Sequence, residues 1–239
     1  MSNDTNAEQP AYKRLTVLVP VFDERNTVGE VVRRLRTLEM PDHLELEVLV
    51  VDDGSTDGTD KVLRAVEDST VRVVRHASNK GKGAAIRTGL AEARGDLVLV
   101  QDADLEYDPA DVPALLQPVI TGRSKVVYGS RFHPSREAMP LTTLMKDRAL
   151  SIAACVLYNT TITDVETGFK VFDTELLRSL NLQSDGFEID AEVTAKVLRS
   201  GQKIFEVPVS YANRPAKRPG SKNRLKLLQV LAKQRFTSQ

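Results

Sequence analysis

Short apolar runs rich in β-branched residues alternate with stretches of helical period through the first half of this chain, and that alternation constrains its fold more than any other feature. Residues 15–21, 46–51, 71–75 and 96–101 read as strands. Between them, residues 26–38 carry Val28, Val31, Val32, Leu35 and Leu38 at helical spacing, and residues 59–66 and 83–93 read as two further helices. Such an order builds right-handed βαβ units, hence an α/β fold with a mostly parallel sheet flanked by helices. A helix over 109–120 and a strand over 125–129 continue the pattern.

Beyond Phe132 the rhythm changes. Residues 139–158 read as a long helix, 169–172 as a short strand, 190–199 as a helix and 203–211 as an alternating strand. Residues 213–223 are rich in Pro, Gly, Lys and Arg and read as a mobile loop, and 224–236 as a basic, leucine-containing helix. Residues 1–12 are polar, without the apolar core of a signal peptide. The expected organisation is a disordered tail over 1–13, one domain over 14–223 and a basic amphipathic helix over 224–239.

Composition narrows the partners. Lys plus Arg total 33 and so do Asp plus Glu, so there is no bulk charge to draw nucleic acid, and none is expected as a partner. No window approaches the roughly 20 consecutive apolar residues that cross a bilayer. The single cysteine, Cys155, reads as a small buried hydrophobe.

Several early strands run into carboxylates: Asp23 and Glu24 after the first, Asp52 and Asp53 after the second, Asp102 and Asp104 after the fourth. Parallel strands place these ends along one edge, where ligands of open α/β sheets collect. Clustered carboxylates are costly to desolvate without cations or donors. Asp102 and Asp104 therefore suggest a hard cation, Mg²⁺ or Mn²⁺, which takes oxygen ligands and commonly bridges carboxylates to phosphates. Taken singly each carboxylate has a plainer reading, as Asp57 does as a helix cap. The loop from Asp52 to Thr59 carries short polar side chains and two glycines suited to close approach by a nucleotide. Asn79-Lys80-Gly81-Lys82-Gly83 sets lysines and glycines at a helix N-terminus, which favours an anion.

Seven motifs, in order across residues 14 to 222, carry a resemblance. They are Val19-Pro20-Val21-Phe22-Asp23-Glu24, Val51-Asp52-Asp53-Gly54-Ser55-Thr56-Asp57, Asn79-Lys80-Gly81-Lys82-Gly83, Asp102-Ala103-Asp104, Gly129-Ser130-Arg131-Phe132, Asp164-Val165-Glu166-Thr167-Gly168-Phe169-Lys170 and Glu206-Val207-Pro208-Val209. The chain resembles a family 2 glycosyltransferase of the GT-A fold, and within it the dolichol- or polyprenol-phosphate sugar synthases. The resemblance implies that Pro20, Val21, Glu24 and Asp53 hold the nucleoside, with Lys82 near base or phosphates. It makes Asp102 and Asp104 the metal motif, with Glu106 where relatives often carry a metal-approaching Gln. It sets Arg131 against phosphate, Asp164 near the acceptor, and Arg214 and Lys222 on a loop closing over the nucleotide diphosphate sugar.

The implied reaction is inverting, metal-dependent hexose transfer from a GDP- or UDP-sugar to a polyprenyl or dolichyl phosphate. An anionic acceptor needs aim more than a base, so Asp164 fits a positioning role better than proton removal. A lipid acceptor implies a peripheral protein on the cytosolic face of a membrane, held by residues 139–158 and 224–236, by an anchoring partner, or as a homodimer. The plainer alternative packs both helices on the sheet. Transfer to a soluble or glycan hydroxyl is the alternative reaction. A processive polysaccharide synthase is disfavoured by the lack of its Gln-x-x-Arg-Trp motif, since Trp is absent. A sugar-1-phosphate nucleotidyltransferase lacks support without its N-terminal Gly-rich signature, and a non-catalytic binding module has no need of both aspartates with Arg131.

Overall fold

The computed structural model describes residues 12–41, 43–132, 141–212 and 223–236, with the side chains of 141–147 outside that description. Seven strands form one sheet: β1 (Arg14–Val21), β2 (Glu45–Asp52), β3 (Val71–Arg75), β4 (Leu97–Val100), β5 (Val126–Ser130), β6 (Lys170–Asp173) and β7 (Ile204–Pro208). Their spatial order is β3-β2-β1-β4-β6-β5-β7. β1 pairs in parallel with β2 and β4, β2 with β3, and β5 with β7. β6 alone runs the other way, antiparallel to β4 and β5. The mostly parallel sheet expected from the alternation is therefore formed, with one reversed strand that the pattern did not announce.

The helices are α1 (Val28–Arg36), α2 (Thr59–Val66), α3 (Lys82–Glu92), α4 (Val112–Ile120), α5 (Leu141–Tyr158), α6 (Thr174–Ser179), α7 (Ile189–Arg199) and α8 (Arg224–Phe236). The expected helix over 109–120 divides into a 3₁₀ turn at Pro109–Asp111 and then α4. The expected strand over 203–211 stops at Pro208, whose ring cannot continue a ladder. Helix α6 was not expected; Asp173 caps it by accepting from the Leu176 amide at 2.8 Å.

Alternation along β1 sorts the core into two layers. Val17, Val19 and Val21 pack on one sheet face with Val28, Val31 and Leu35 of α1 and Leu115 and Leu116 of α4. Leu18 points to the other face, where it joins Ile86 of α3, Ala191 and Ala195 of α7, and Leu227 and Leu231 of α8. All four residues of β4 are buried, as a central strand covered on both faces requires. Gly89 marks the tightest helix-to-strand approach: a Cβ there would lie 2.0 Å from Leu18 Cδ1.

Because β1 turns to β2 on one side and β4 on the other, a crevice opens at their carboxyl ends. Reversal of β6 brings its first residue, not its last, to the same edge, with Lys170 opposite Val100. The Glu166–Lys170 segment therefore sits beside Asp102 although it precedes its strand.

Candidate active site

The crevice is built from the segments that follow or precede the strands at this edge. Asp23, at φ 53°, makes the turn after β1, and its carboxylate accepts from the Thr56 amide at 2.8 Å. Ser55 hydroxyl accepts from the Asp23 amide in return, at 3.0 Å. Glu24 Oε2 accepts from the Thr27 hydroxyl at 2.6 Å, and Asp57 accepts from the amide and hydroxyl of Thr59, the first residue of α2, from one position ahead of the N-cap, Gly58, rather than as the cap itself. These bonds lock the first two strand-end loops together.

Asp53 is 3% exposed, and its carboxylate organises the lysine-glycine loop. It accepts from the amides of Lys80 at 2.9 Å and Gly81 at 2.7 Å and meets His76 Nδ1 at 2.6 Å, while His76 Nε2 reaches Thr88 Oγ1 at 2.9 Å. Gly81 has φ 102°, and a Cβ on it would lie 2.4 Å from Asp185 O. Only glycine suits that turn, which delivers Lys82 to the start of α3.

Lys82 Nζ lies 2.7 Å from Asp102 Oδ1 and 3.8 Å from Asp190 Oδ2. Burial alone would lower the Lys82 pKa, but Asp102 and Asp190 outweigh it and raise it, so the ammonium stays charged. Asp102 is crowded from the other side by Gly168: a Cβ there would lie 2.4 Å from Asp102 Oδ2 and 2.8 Å from Tyr107 Cε2. The Tyr107 hydroxyl accepts from the Gly168 amide at 2.8 Å, so that ring cannot swing aside cheaply. Gly168→Ala is expected to cost about 1–3 kcal/mol of stability through overpacking, read as a shift in urea midpoint; an unchanged midpoint contradicts this packing account.

Asp104 is pushed up to about 7, first by burial and then by the charges of Asp102, Glu106 and Glu24. A desolvated carboxylate among like charges lacks positive charge, and oxygen donors of this kind suit Mg²⁺ or Mn²⁺. Asp102 and Asp104 thus have the charge and oxygen donors to fit a divalent cation. Glu106 Oε2 accepts from the Tyr211 hydroxyl at 2.9 Å, and its charge still acts on Asp104. Among the described residues no group of three His, Cys, Asp or Glu side chains is arranged to hold an ion.

The raised Asp104 pKa has a signed consequence. A carboxyl whose pKa is higher in the fold contributes stability fully below its unfolded value, about 4, and that contribution disappears as pH rises through about 7. Asp104→Asn stays neutral throughout. In the metal-free protein, unfolding free energy of the wild type minus that of the variant should fall between about pH 4 and 7 and level off above; a flat difference in urea titrations contradicts the assignment.

On the β5 side, Asp164 is 1% exposed and takes Arg131 in a fork, with Nε at 2.7 Å and Nη2 at 2.8 Å, plus the Arg131 amide at 3.1 Å. The guanidinium also stacks 5.2 Å from the Tyr211 and Phe132 ring centroids. Behind it, Glu206 of β7 accepts from the amides of Thr163 and Asp164 at 2.9–3.0 Å and so fixes the Asp164 backbone. Burial raises the Glu206 pKa, and those hydrogen bonds oppose it.

The fold therefore brings Glu24, Lys82, Asp102, Asp104, Glu106, Arg131 and Asp164 to one edge, with Pro20 and Val21 at the end of β1. Arg214 and Lys222 lie outside the described residues. Sequence reasoning missed Tyr107, Tyr211, Asp190 and the inward role of Lys170. One signal was available: a lysine inside the apolar run from Phe169 to Phe172 must find a buried anion.

The sequence profile described as "Glycosyl transferase family 2" matches residues 16–180. The chain is 31% identical over 208 residues to the glycosyltransferase AglJ of Haloferax volcanii, covering 86% of this chain and 65% of that protein. It is 30% identical over 211 residues to the undecaprenyl-phosphate mannosyltransferase of Micrococcus luteus, covering 84% of each. Among solved structures, glucosyl-3-phosphoglycerate synthase from Mycobacterium tuberculosis, in complex with Mn²⁺, UDP-glucose and phosphoglyceric acid, superposes with a TM-score of 0.71 at 23% identity, covering 95% of this chain and 81% of that one. The sheet and its flanking helices are those of the GT-A fold.

Proposed function

The chain belongs to glycosyl transferase family 2, and on that premise we propose that it moves a hexose, with inversion, from a nucleotide diphosphate sugar to a polyprenyl phosphate. The observation that carries the reading is the Asp102–Asp104 pair at the mouth of the crevice, with Lys82 on one side and Arg131 on the other. The M. luteus relative, aligned over 84% of each chain, is named for transfer to undecaprenyl phosphate, which supports the lipid acceptor.

In the reaction the bond from the anomeric carbon to the diphosphate oxygen breaks, and a bond from that carbon to an acceptor phosphate oxygen forms. When bound, a divalent cation at Asp102 and Asp104 supplies positive charge to the departing diphosphate. The loops carrying Pro20, Val21, Glu24 and Asp53 receive the nucleoside, and Lys82, with Arg214 and Lys222 as further cations, lends charge to the phosphates. Arg131 neutralises the acceptor phosphate. Asp164 gives both oxygens to Arg131, which suits an orienting role, and a phosphate monoester that is already anionic needs aim and charge neutralisation more than a base.

A lipid acceptor calls for contact with a bilayer surface, and no helix among the described residues is long and apolar enough to cross one. Ile152 and Val156, one turn apart on α5, are 55% and 79% exposed, and Leu225 and Phe236 of α8 are 65% and 77% exposed. Lys233 and Arg235 lie in the last turn of α8, so this face suits an anionic membrane surface. Leu227 and Leu231 of the same helix are buried, so both the membrane reading and the packed reading have a side of α8. Val156→Glu with Phe236→Glu is expected to abolish co-sedimentation with anionic liposomes while thermal melting is retained; undiminished co-sedimentation counts against this face.

The acceptor is tested by presenting labelled UDP- and GDP-sugars with a short polyprenyl phosphate and, separately, with water-soluble phosphorylated acceptors and glycans. Label entering the organic phase supports the reading. Label confined to a water-soluble product would overturn it.

A further inference from the structure

Four charged side chains from four different elements meet behind the crevice in alternating sign. Asp102 follows β4, Lys82 opens α3, Asp190 lies in the first turn of α7 and Lys170 begins β6. Lys170 Nζ lies 2.5 Å from Asp190 Oδ1 and donates to Thr167 O at 2.6 Å; both Lys170 and Asp190 are at most 5% exposed as residues. The Lys170 ammonium also sits 5.2 Å from the Tyr128 ring centroid. Burial pushes the Lys170 pKa down, and the Asp190 carboxylate opposes that shift. Asp190 is therefore pinned from below, and its other oxygen faces Lys82 at 3.8 Å.

This arrangement bears on a problem that the cation site raises. Asp102 is already paired with an ammonium at 2.7 Å, and the Lys82 side chain is only 11% exposed. A divalent cation taking Asp102 would leave that ammonium buried and uncompensated, a penalty of the kind that usually forbids such binding. A second anion within reach removes the penalty. Asp190 is that anion, and the two distances, 2.7 and 3.8 Å, show how small the transfer is.

We propose that Lys82 is a displaceable internal cation, occupying Asp102 in the metal-free protein, and that Asp190, held by Lys170, is the positioning residue that receives it when Asp102 turns to a divalent cation. The inference rests on the cation reading given above. It makes metal affinity depend on two residues, Asp190 and Lys170, that lie behind the carboxylate pair. It also couples cation binding to nucleotide binding, because an ammonium released from Asp102 is free to be shared with a diphosphate.

The test measures Mn²⁺ alone, by calorimetry and by loss of the free-ion electron paramagnetic resonance signal, without nucleotide and without turnover. Lys82→Met removes the competitor and is expected to tighten Mn²⁺ binding about tenfold, and Asp190→Asn, which removes the destination, to weaken it by about the same factor. In the Lys82→Met background the Asp190 substitution is expected to have no effect, because Asp190 acts through Lys82. Should Asp190→Asn fail to fold with Lys170 left unpaired, Lys170→Met combined with Asp190→Asn removes that orphaned charge and carries the same comparison. Equal Mn²⁺ affinity in wild type and Lys82→Met overturns the inference alone, as does an undiminished Asp190 effect in the Lys82→Met background. Mn²⁺ bound by none of the proteins overturns the cation site and the inference with it.

Discussion

Asp104→Ala is expected to lower sugar transfer by about a thousandfold while the protein still folds, because a group aimed at charge developing on the leaving diphosphate acts mainly in the transition state. The folded state should tolerate the change well. The Asp104 carboxylate accepts from the Glu106 amide at 3.2 Å, and its charge is opposed by Asp102, Glu106 and Glu24. Removing it relieves repulsion, so thermal stability in the absence of metal should hold or rise. Circular dichroism and initial rates at saturating donor separate the two effects. A variant that keeps substantial activity in EDTA would show that this carboxylate has no metal role.

Arg131→Ala is expected to act in the opposite way, through the fold as well as the chemistry. Asp164 is 1% exposed, and its carboxylate is held by three hydrogen bonds from Arg131. Stranding a buried carboxylate by deleting its partner typically costs about 3–5 kcal/mol. Asp164→Asn in the same background should return much of that loss, since a neutral amide needs no counter-charge, but it should not restore transfer. Lysine at 131 cannot reproduce the two-point fork and should recover stability only in part. Urea denaturation of the single and double variants checks this, and a stability unchanged by Arg131→Ala contradicts it.

The sheet was legible in the sequence because β1, β2 and β4 are fully or largely buried, and burial on both faces leaves continuous apolar runs such as Leu97 to Val100. The direction of β6 was not, since four residues carry no mark of which way they run. Helix α6 escaped notice because six residues hardly establish a period, and its cap, Asp173, is also the last residue of β6. In the site, residues that end strands could be placed from the alternation alone. Partnerships could not: Asp190 meets Lys170 twenty positions away, and on sequence grounds it reads as an acid in the first turn of a helix, which needs no further explanation. Glu106 shows a different limit. The family resemblance makes it a candidate third ligand, and the chain returns after β7 to place the Tyr211 hydroxyl on its Oε2, a contact across 105 positions that no local pattern announces. For Asp53 the sequence located a polar, glycine-containing loop after β2, and the structure adds that its carboxylate orders the Lys80–Gly81 amides that lead into Lys82.

The most direct test of the central claim is a single transfer assay with the purified chain, a radiolabelled nucleotide diphosphate sugar and a short polyprenyl phosphate, run with Mn²⁺, with EDTA, and with Mn²⁺ restored after EDTA. The account predicts lipid-phase label with Mn²⁺, its loss in EDTA and its return when the metal is restored. Lipid-phase label of equal rate in EDTA would contradict it.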